Sequence, residues 1–406
     1  MRSVLIAGGG IGGLATALAL ARRGHAVTVF ERSREFGEIG AGLQLGPNGM
    51  RALHRLGCAG EVLHRAVPVR HLRVLDGATG TLLVQVDLLG AFRERFGHPY
   101  VVAHRAHLHA VLLSACRSSG RVRLHAGSPV TDLRHDDAGV AVQVADDRWF
   151  LGSTLVGADG LHSVVRTRVL DDGPPRPSGH TTYRAVLPAE VVPAHLRPDS
   201  ATLWAAPGRH AVHYPIDGGR QVNVVVTVDN AATRPVSGAV VPAVPVLKAF
   251  ARFASPVRDL MALVPRWTAW VLCDREPVAR WGAGRITLLG DAAHPMVQYA
   301  AQGACMALED AVELAHQVDA HEDIVQALHR YAEIRAPRTG RVQRTARALG
   351  SDFYHLDGAR ALERNALLSS LTQEELQDRL AWLYEDHLSP DGSVVTGAGS
   401  GRGKTT

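Results

Sequence analysis

Cysteine is scarce and scattered: Cys58, Cys116, Cys273 and Cys305 are the four in 406 residues. No CxxC or other metal-ligand spacing joins them, so the sequence offers neither a disulfide framework nor a metal site. Isolated cysteines of this kind serve as small buried apolar residues and suit a reducing cytoplasm. Long hydrophobic runs are missing too, and none nears the roughly 18 residues needed to cross a bilayer. Val4–Ala7 after Arg2 resembles the front of a signal peptide, but the run breaks at Gly8-Gly9-Gly10 and the next segment ends in Arg22-Arg23. No segment has the Pro/Ser/Glu bias of a disordered protein. No Lys/Arg block is interleaved with aromatics, so nothing marks a nucleic-acid surface. The formal net charge of +5 arises from interspersed charges. It suits an anionic small molecule or an ordinary arginine-rich surface equally well. These absences leave a cytoplasmic protein acting on small molecules.

The chain is too long for one compact core and suits two domains. Val4–Ala7 reads as a short strand, Ile11–Arg23 as a helix closed by Gly24, and Val27–Glu31 as a second strand. That βαβ start implies parallel pairing. Gly8-x-Gly10-x-x-Gly13 lies between strand and helix, the context that makes it a dinucleotide fingerprint. Gly8 allows the tight turn, Gly10 the approach of a pyrophosphate, and Gly13 close helix–strand packing. The helix start adds unpaired N–H groups for the phosphates. Glu31, roughly 20 residues on, is placed to accept from ribose hydroxyls and to repel a 2′-phosphate.

Further along, Gly37–Gly49 is a glycine-dense loop, followed by a helix near Met50–Leu56. Leu72–Asp87 reads as a hairpin about the turn Asp76-Gly77. Arg105–Arg117 is helical, and Val122–Leu124, Val130–Leu133, Val140–Val144 and Trp149–Leu151 are short strands. Gly157-Ala158-Asp159-Gly160-Leu161-His162-Ser163-Val164-Val165-Arg166 and Leu289-Gly290-Asp291-Ala292-Ala293-His294-Pro295 each follow a strand. Alone, either is a turn with an Asx cap. From about Pro174 to Cys273 the composition shifts to valine, proline and short strands such as Val222–Val228, an antiparallel block. Helices dominate from Gly303 to about Leu388, and Gly397–Thr406 reads as a disordered tail.

In this order the three glycine motifs resemble those of the single-component FAD-dependent aromatic hydroxylases, the family of p-hydroxybenzoate hydroxylase and salicylate hydroxylase. The resemblance covers nearly the whole chain. Within the family, Gly290–Ala311 and Gly208–Pro215 look most like the 3-hydroxybenzoate 6-hydroxylases. The resemblance implies an α/β fold with a discontinuous Rossmann-like FAD-binding domain (1–70, 97–175 and 274–350) and an antiparallel-sheet substrate domain (71–96 and 176–273). Helices in 351–388 then either pack on the FAD domain or form a homodimer interface, and 389–406 is the tail.

The resemblance also implies roles. Asp291 accepts from a ribityl hydroxyl. Arg105 contacts the pyrophosphate or ribityl region, and Gln44 touches the ribityl chain. Asp159 is structural, near both the flavin and the approach of the nicotinamide. Ala300–Ala304 runs beside the isoalloxazine, with Gly303 and Ala304 opening a helix whose dipole stabilises negative charge at the flavin's pyrimidine edge. His210, Tyr214 and Gln298 surround the aromatic substrate. His210 is the base that draws the phenol proton, Tyr214 binds or orients the ring, and Gln298 orients the phenol or the oxygen donor. His210 and Tyr214 are four apart, hence on one side of a strand. His213 points oppositely and is structural.

The implied activity is monooxygenation of a phenolic acid with NAD(P)H and O2 through a flavin C4a-hydroperoxide, taking 3-hydroxybenzoate to gentisate. Salicylate, a hydroxynicotinate or a polyketide phenol are the alternative rings. No second GxGxxG is present, as fits transient binding of NADH or NADPH, and the sequence does not separate the two. Nor does it single out, among so many arginines, a partner for the substrate's carboxylate. A flavin halogenase would carry WxWxIP, whereas Trp267 and Trp270 are spaced WxxW. A GDP-dissociation inhibitor, a non-enzyme of the same fold, would leave Leu289–Pro295 without a purpose.

Overall fold

Parallel strands need both faces covered, and Val4–Ala7 of the first strand meets that demand with an unbroken apolar run. The computed structural model describes residues 1–37, 40–197 and 199–390. Its first sheet has the order Gly282–Ala283, Ile286–Leu288, Thr154–Gly157, Ser3–Ala7, Ala26–Phe30, Val122–His125. All neighbours are parallel except the edge strand Gly282–Ala283. The helix Ile11–Arg22 is buried along almost its whole length. It ends as Gly24 requires: φ is +87°, and the N–H groups of Gly24 and His25 return to the carbonyls of Ala21 and Leu20. A small antiparallel sheet (Val130–His135, Val140–Val144, Trp149–Gly152) fills the crossover before Thr154–Gly157. The helix expected near Met50–Leu56 starts earlier, at Pro47, because proline suits the first helical position after extended Gly46.

The second sheet has eight strands. Ser237–Pro242, Arg266–Asp274, Arg176–Pro188, Gln221–Ala232, Arg209–Ile216 and Ala201–Ala206 follow one another in antiparallel pairs, and the hairpin His71–Asp76 with Leu82–Asp87 completes the edge. The seam between Ala201–Ala206 and His71–Asp76 is parallel, the one departure from the antiparallel expectation. The hairpin turn is also longer than Asp76-Gly77. The Asp76 carboxylate accepts from the N–H groups of Ala78 and Thr79, and the chain closes only at Thr81. One face of this sheet buries Trp204, Val224, Val226 and Trp267 against the helices Ala243–Ala249 and Ser255–Ala262. Period-two alternation leaves the opposite face for the site.

The helices after residue 350 pack on the body. Tyr384, closing Gln373–Tyr384, meets the edges of Phe92, Phe96 and Tyr100, and its carbonyl accepts from Arg51. Ser389 bonds to the buried Glu313 through both its N–H and its hydroxyl. Most of the expected tail, 391–406, lies outside the described residues. No helix among the described residues is long and apolar enough to cross a membrane.

Between the sheets, the helix Gly303–Ala320 carries two adjacent buried carboxylates, Glu309 and Asp310. Arg335 on the helix Ile324–Leu349 donates to both, at 2.6 Å from Nη1 to Glu309 and 2.7 Å from Nε to Asp310. Arg338 and Asn48 complete the shell of Glu309, each at 2.7 Å, and His294 that of Asp310 at 2.5 Å. Burial pushes the Glu309 carboxyl up, but Arg335 and Arg338 outweigh it and hold it at about 2. Removing one partner of such a set strands buried charge. Arg335→Met is expected to lower stability by about 3–5 kcal/mol, read from the urea midpoint of the flavin-loaded protein. A midpoint that stays put would mean the network is dispensable.

Candidate functional site

The nucleotide turn is shaped by missing side chains. Gly8 has φ +106°, and a Cβ there would lie 2.2 Å from the Ala158 carbonyl oxygen. A Cβ on Gly13 would lie 2.0 Å from the Gly8 oxygen, so strand, turn and helix meet backbone to backbone. Gly10 caps the helix Ile11–Arg22 in extended conformation, with no side-chain cap and no acid in the first turn. That N-terminus is left for an anion. The Glu31 carboxylate accepts from the N–H groups of Gly9 (2.7 Å) and Ser33 (2.8 Å), which fixes it and still leaves lone pairs for hydroxyls.

The second and third motifs are fastened to each other. Asp159 accepts from the Ser163 hydroxyl at 2.5 Å and the Val164 N–H at 2.7 Å, so it closes the turn into the helix Val164–Leu170. Burial raises its pKa against the pull of those donors. Arg166, fully buried, donates to the carbonyls of Ala292 (2.9 Å) and Ala293 (2.7 Å) and pairs with Asp172. Asp310 takes the Gly290 N–H at 3.1 Å and His294, tying the third motif to the helix Gly303–Ala320. Asp291 is thereby presented, exposed, to the cavity. A Cβ on Gly303 would lie 3.9 Å from its Oδ1, so this carboxylate sits beside the helix start. Gln302 there supplies no side-chain cap, and Ala301 holds φ +51°, a conformation that side chains rarely adopt.

One cavity of about 1000 Å³ runs from Gly8–Gly12 and Glu31 past Arg105, Gln44 and Asp291 to the second sheet. Arg105 enters from the start of the helix Arg105–Ser118, and the side-chain Oε1 of Gln44 accepts from the Tyr100 hydroxyl at 2.5 Å. Strand Arg209–Ile216 turns His210, Val212 and Tyr214 to the cavity. His213 faces the other way and stacks on Trp204 at 6.2 Å, and burial alone pushes its pKa down to about 4.

His210 is buried, and its Nδ1 lies 2.8 Å from Nε2 of His355. Tyr299 and Tyr354 pack their ring edges on it. Burial first, then His355 and His180, hold its pKa well below the usual histidine value. The tautomer protonated at Nδ1 leaves Nε2 as an acceptor. The Tyr214 phenol is pushed up by burial and drawn back by Arg184. Gln298 is held on three sides: its Oε1 accepts from Arg184 at 2.7 Å, and its Nε2 donates to the hydroxyls of Thr182 and Thr227. The sequence singled out neither Arg184, Tyr100, Arg166 nor His355. Two adjacent acids inside an apolar helix were the visible hint of the Glu309–Asp310 network, since buried charges require partners.

Comparison with known proteins agrees with this geometry. A family model described as an FAD binding domain matches residues 1–346. The 3-hydroxybenzoate 6-hydroxylase 1 of Aquipseudomonas alcaligenes is 44% identical over 94% of this chain and 97% of its own. A 3-amino-4-hydroxybenzoate 2-monooxygenase of Streptomyces platensis is 38% identical over 96% of this chain and 97% of its own. Among solved structures, Klebsiella pneumoniae HpxO complexed with FAD and uric acid matches with a TM-score of 0.83 at 28% identity, covering 94% of this chain and 97% of that one.

FAD is the group these likenesses imply, and the residues fit it. The glycine cradle admits a pyrophosphate where any Cβ would collide, Glu31 and Asp291 offer acceptors for two polyol stretches, and two uncapped helix starts face the cavity. Asp291 is exposed to the cavity and outside the buried network, so its removal separates binding from folding. Asp291→Ala is expected to weaken FAD retention about 10- to 100-fold with an unchanged far-UV spectrum. Wild-type retention in that variant would exclude Asp291 from the cofactor site.

Proposed function

The chain belongs to the FAD-dependent aromatic-ring monooxygenases, and on that premise we propose that it converts 3-hydroxybenzoate to gentisate. The near-full-length likeness to a 3-hydroxybenzoate 6-hydroxylase carries the choice of ring. Overall, 3-hydroxybenzoate, O2, NAD(P)H and a proton give gentisate, NAD(P)⁺ and water. The chemistry supplied by bound FAD is uptake of two electrons from the nicotinamide and delivery of one oxygen atom of O2 to the ring. Residues 1–70, 97–175 and 274–350 form the cofactor domain in this reading, and 71–96 with 176–273 the substrate domain. The four free thiols, those of Cys58, Cys116 and Cys305 buried and that of Cys273 half-buried, suit the reducing cytoplasm.

The protein's own part is to make the ring electron-rich and keep water away. His210 is neutral near pH 7 because burial disfavours its cation, so Nε2 is ready to accept the phenol proton. Charge released onto the ring accumulates ortho and para to the oxygen, and the para carbon is the one that gentisate carries hydroxylated. Val212, Val225 and Leu203 on the cavity face exclude water from that ring. Tyr214 remains a hydrogen-bond donor, since burial keeps its phenol protonated. Gln298, fixed by Arg184 and two threonines, retains one Oε1 lone pair for the phenol or for the oxygen being delivered. The uncapped N-terminus of the helix Gly303–Ala320 would set a positive dipole end beside the ring of bound FAD.

The test is NADH and NADPH oxidation with a panel of hydroxybenzoates and 3-amino-4-hydroxybenzoate, with products identified by mass spectrometry. The reading is lost if no aromatic stimulates oxidation and no oxygenated product appears. His210→Ala is expected to keep FAD and to slow hydroxylation by about 10²-fold or more. Unchanged rate and unchanged coupling of NADH use to product would remove His210 as the base. The base acts in its neutral form, and its pKa is lowered, so activity should persist as pH falls through 6.5 and decline only below. A limb in kcat/KM at 6.5 that vanishes in His210→Ala would contradict the buried-base account.

A further inference from the structure

We propose that Arg184 binds the carboxylate of the aromatic acid and so selects acids over neutral phenols. The inference rests on the proposed hydroxybenzoate substrate, and begins from an imbalance of charge. Arg184 lines the cavity on the strand Arg176–Pro188. Its Nη2 donates to Gln298, and its guanidinium lies 5.2 Å from the centre of the Trp270 ring. Nε is buried without any partner. No carboxylate pairs with it among the described residues; its titratable neighbours are the Tyr214 phenol, which burial keeps neutral, and another cation, Arg105. Arg166 and Arg335, both fully buried, each have a carboxylate within 4 Å. A guanidinium withdrawn from water without an anion is costly, and an incoming carboxylate relieves that cost. Its planar fork suits a carboxylate's two oxygens.

Position supports the same assignment. Strand registers place His210 opposite Thr227, and Thr227 opposite Thr182. Two residues along, Val212, Val225 and Arg184 form the next row. Arg184 is thus two strands across from His210 and two residues along, a backbone separation of about 12 Å. With both side chains reaching inward, that gap takes one benzene ring with a hydroxyl at one end and a carboxylate in meta relation at the other. Val212 and Val225 form the wall between them. Because Gln298 Oε1 is held by the same guanidinium, an acid seated on Arg184 also sets the group that faces its phenol.

The test uses flavin-loaded enzyme and two probes of one ring, 3-hydroxybenzoate and neutral 3-hydroxybenzyl alcohol, followed through flavin absorbance. In Arg184→Gln, binding of 3-hydroxybenzoate should weaken about 100-fold, while the alcohol shifts less than about threefold and FAD content holds. Arg184→Lys, which keeps the charge, should retain part of the preference for the acid and covers the case in which the glutamine variant does not fold. Equal weakening of both probes would assign Arg184 to positioning Gln298 and overturn the proposal. So would lost flavin, or unchanged benzoate binding in either variant. A wild-type enzyme that binds no hydroxybenzoate at all would instead defeat the substrate reading on which the inference stands.

Discussion

Two adjacent carboxylates in the middle of an apolar helix would unfold most proteins, and here Glu309 and Asp310 are the point to which the rest of the site is tied. Desolvation makes each intolerable alone. Arg335, Arg338, Asn48 and His294 supply the missing solvation from another helix, from the Pro47–Arg55 helix and from the third glycine motif. The consequence is geometric. The helix Gly303–Ala320 cannot slide or rotate without breaking several charge-assisted bonds at once, so its uncapped start keeps one aim into the cavity. Arg166 does the same from the other side, holding the third motif by its carbonyls. Three motifs separated by more than a hundred residues become one rigid frame, as a preorganised site requires.

The second sheet is built for a different task. Its covered face is a tight apolar core around Trp204, Trp267 and Phe250, which fixes the backbone. Its open face carries polar side chains spaced along an apolar ground, where substitutions alter what is bound with little cost to the fold. His210 illustrates how the two faces cooperate. The sheet removes it from water, and Tyr299, Tyr354 and His355 close over it. Its neutrality is a product of tertiary burial, which no property of the strand alone supplies.

That division explains what was legible in the amino-acid order. The turn Gly8–Gly13, the capping role of Gly24 and the Asp159 turn are local demands: each is met by the residue itself or by neighbours a few positions away. Alternation placed His210 and Tyr214 on one side and His213 on the other, because the strand period is fixed by the backbone. The parallel seam between His71–Asp76 and Ala201–Ala206 was not legible, since periodicity says which face a residue takes and not which distant strand lies beside it. Arg166 and Arg184 were hidden for the same reason. Each reads as an ordinary arginine in its own segment, and only the burial and the partners brought by other segments distinguish the fastened cation from the one with no anion.

The cofactor end and the ring end therefore answer to different chemistry. At the nucleotide turn, the close approach is set by backbone and by the absence of Cβ atoms, with the Glu31 carboxylate fastened beside it, so there is little for substitution to retune. At the far end of the cavity, polar side chains project from a stable sheet, and it is there that the proposed ring would be read. A fold so divided keeps its oxygen chemistry constant while the ring it accepts drifts. The likeness of this chain to relatives named for a hydroxybenzoate and for an amino-hydroxybenzoate accords with that division. The constant part was readable from spacing because the backbone imposes it; the variable part requires knowing which side chains meet across the sheet.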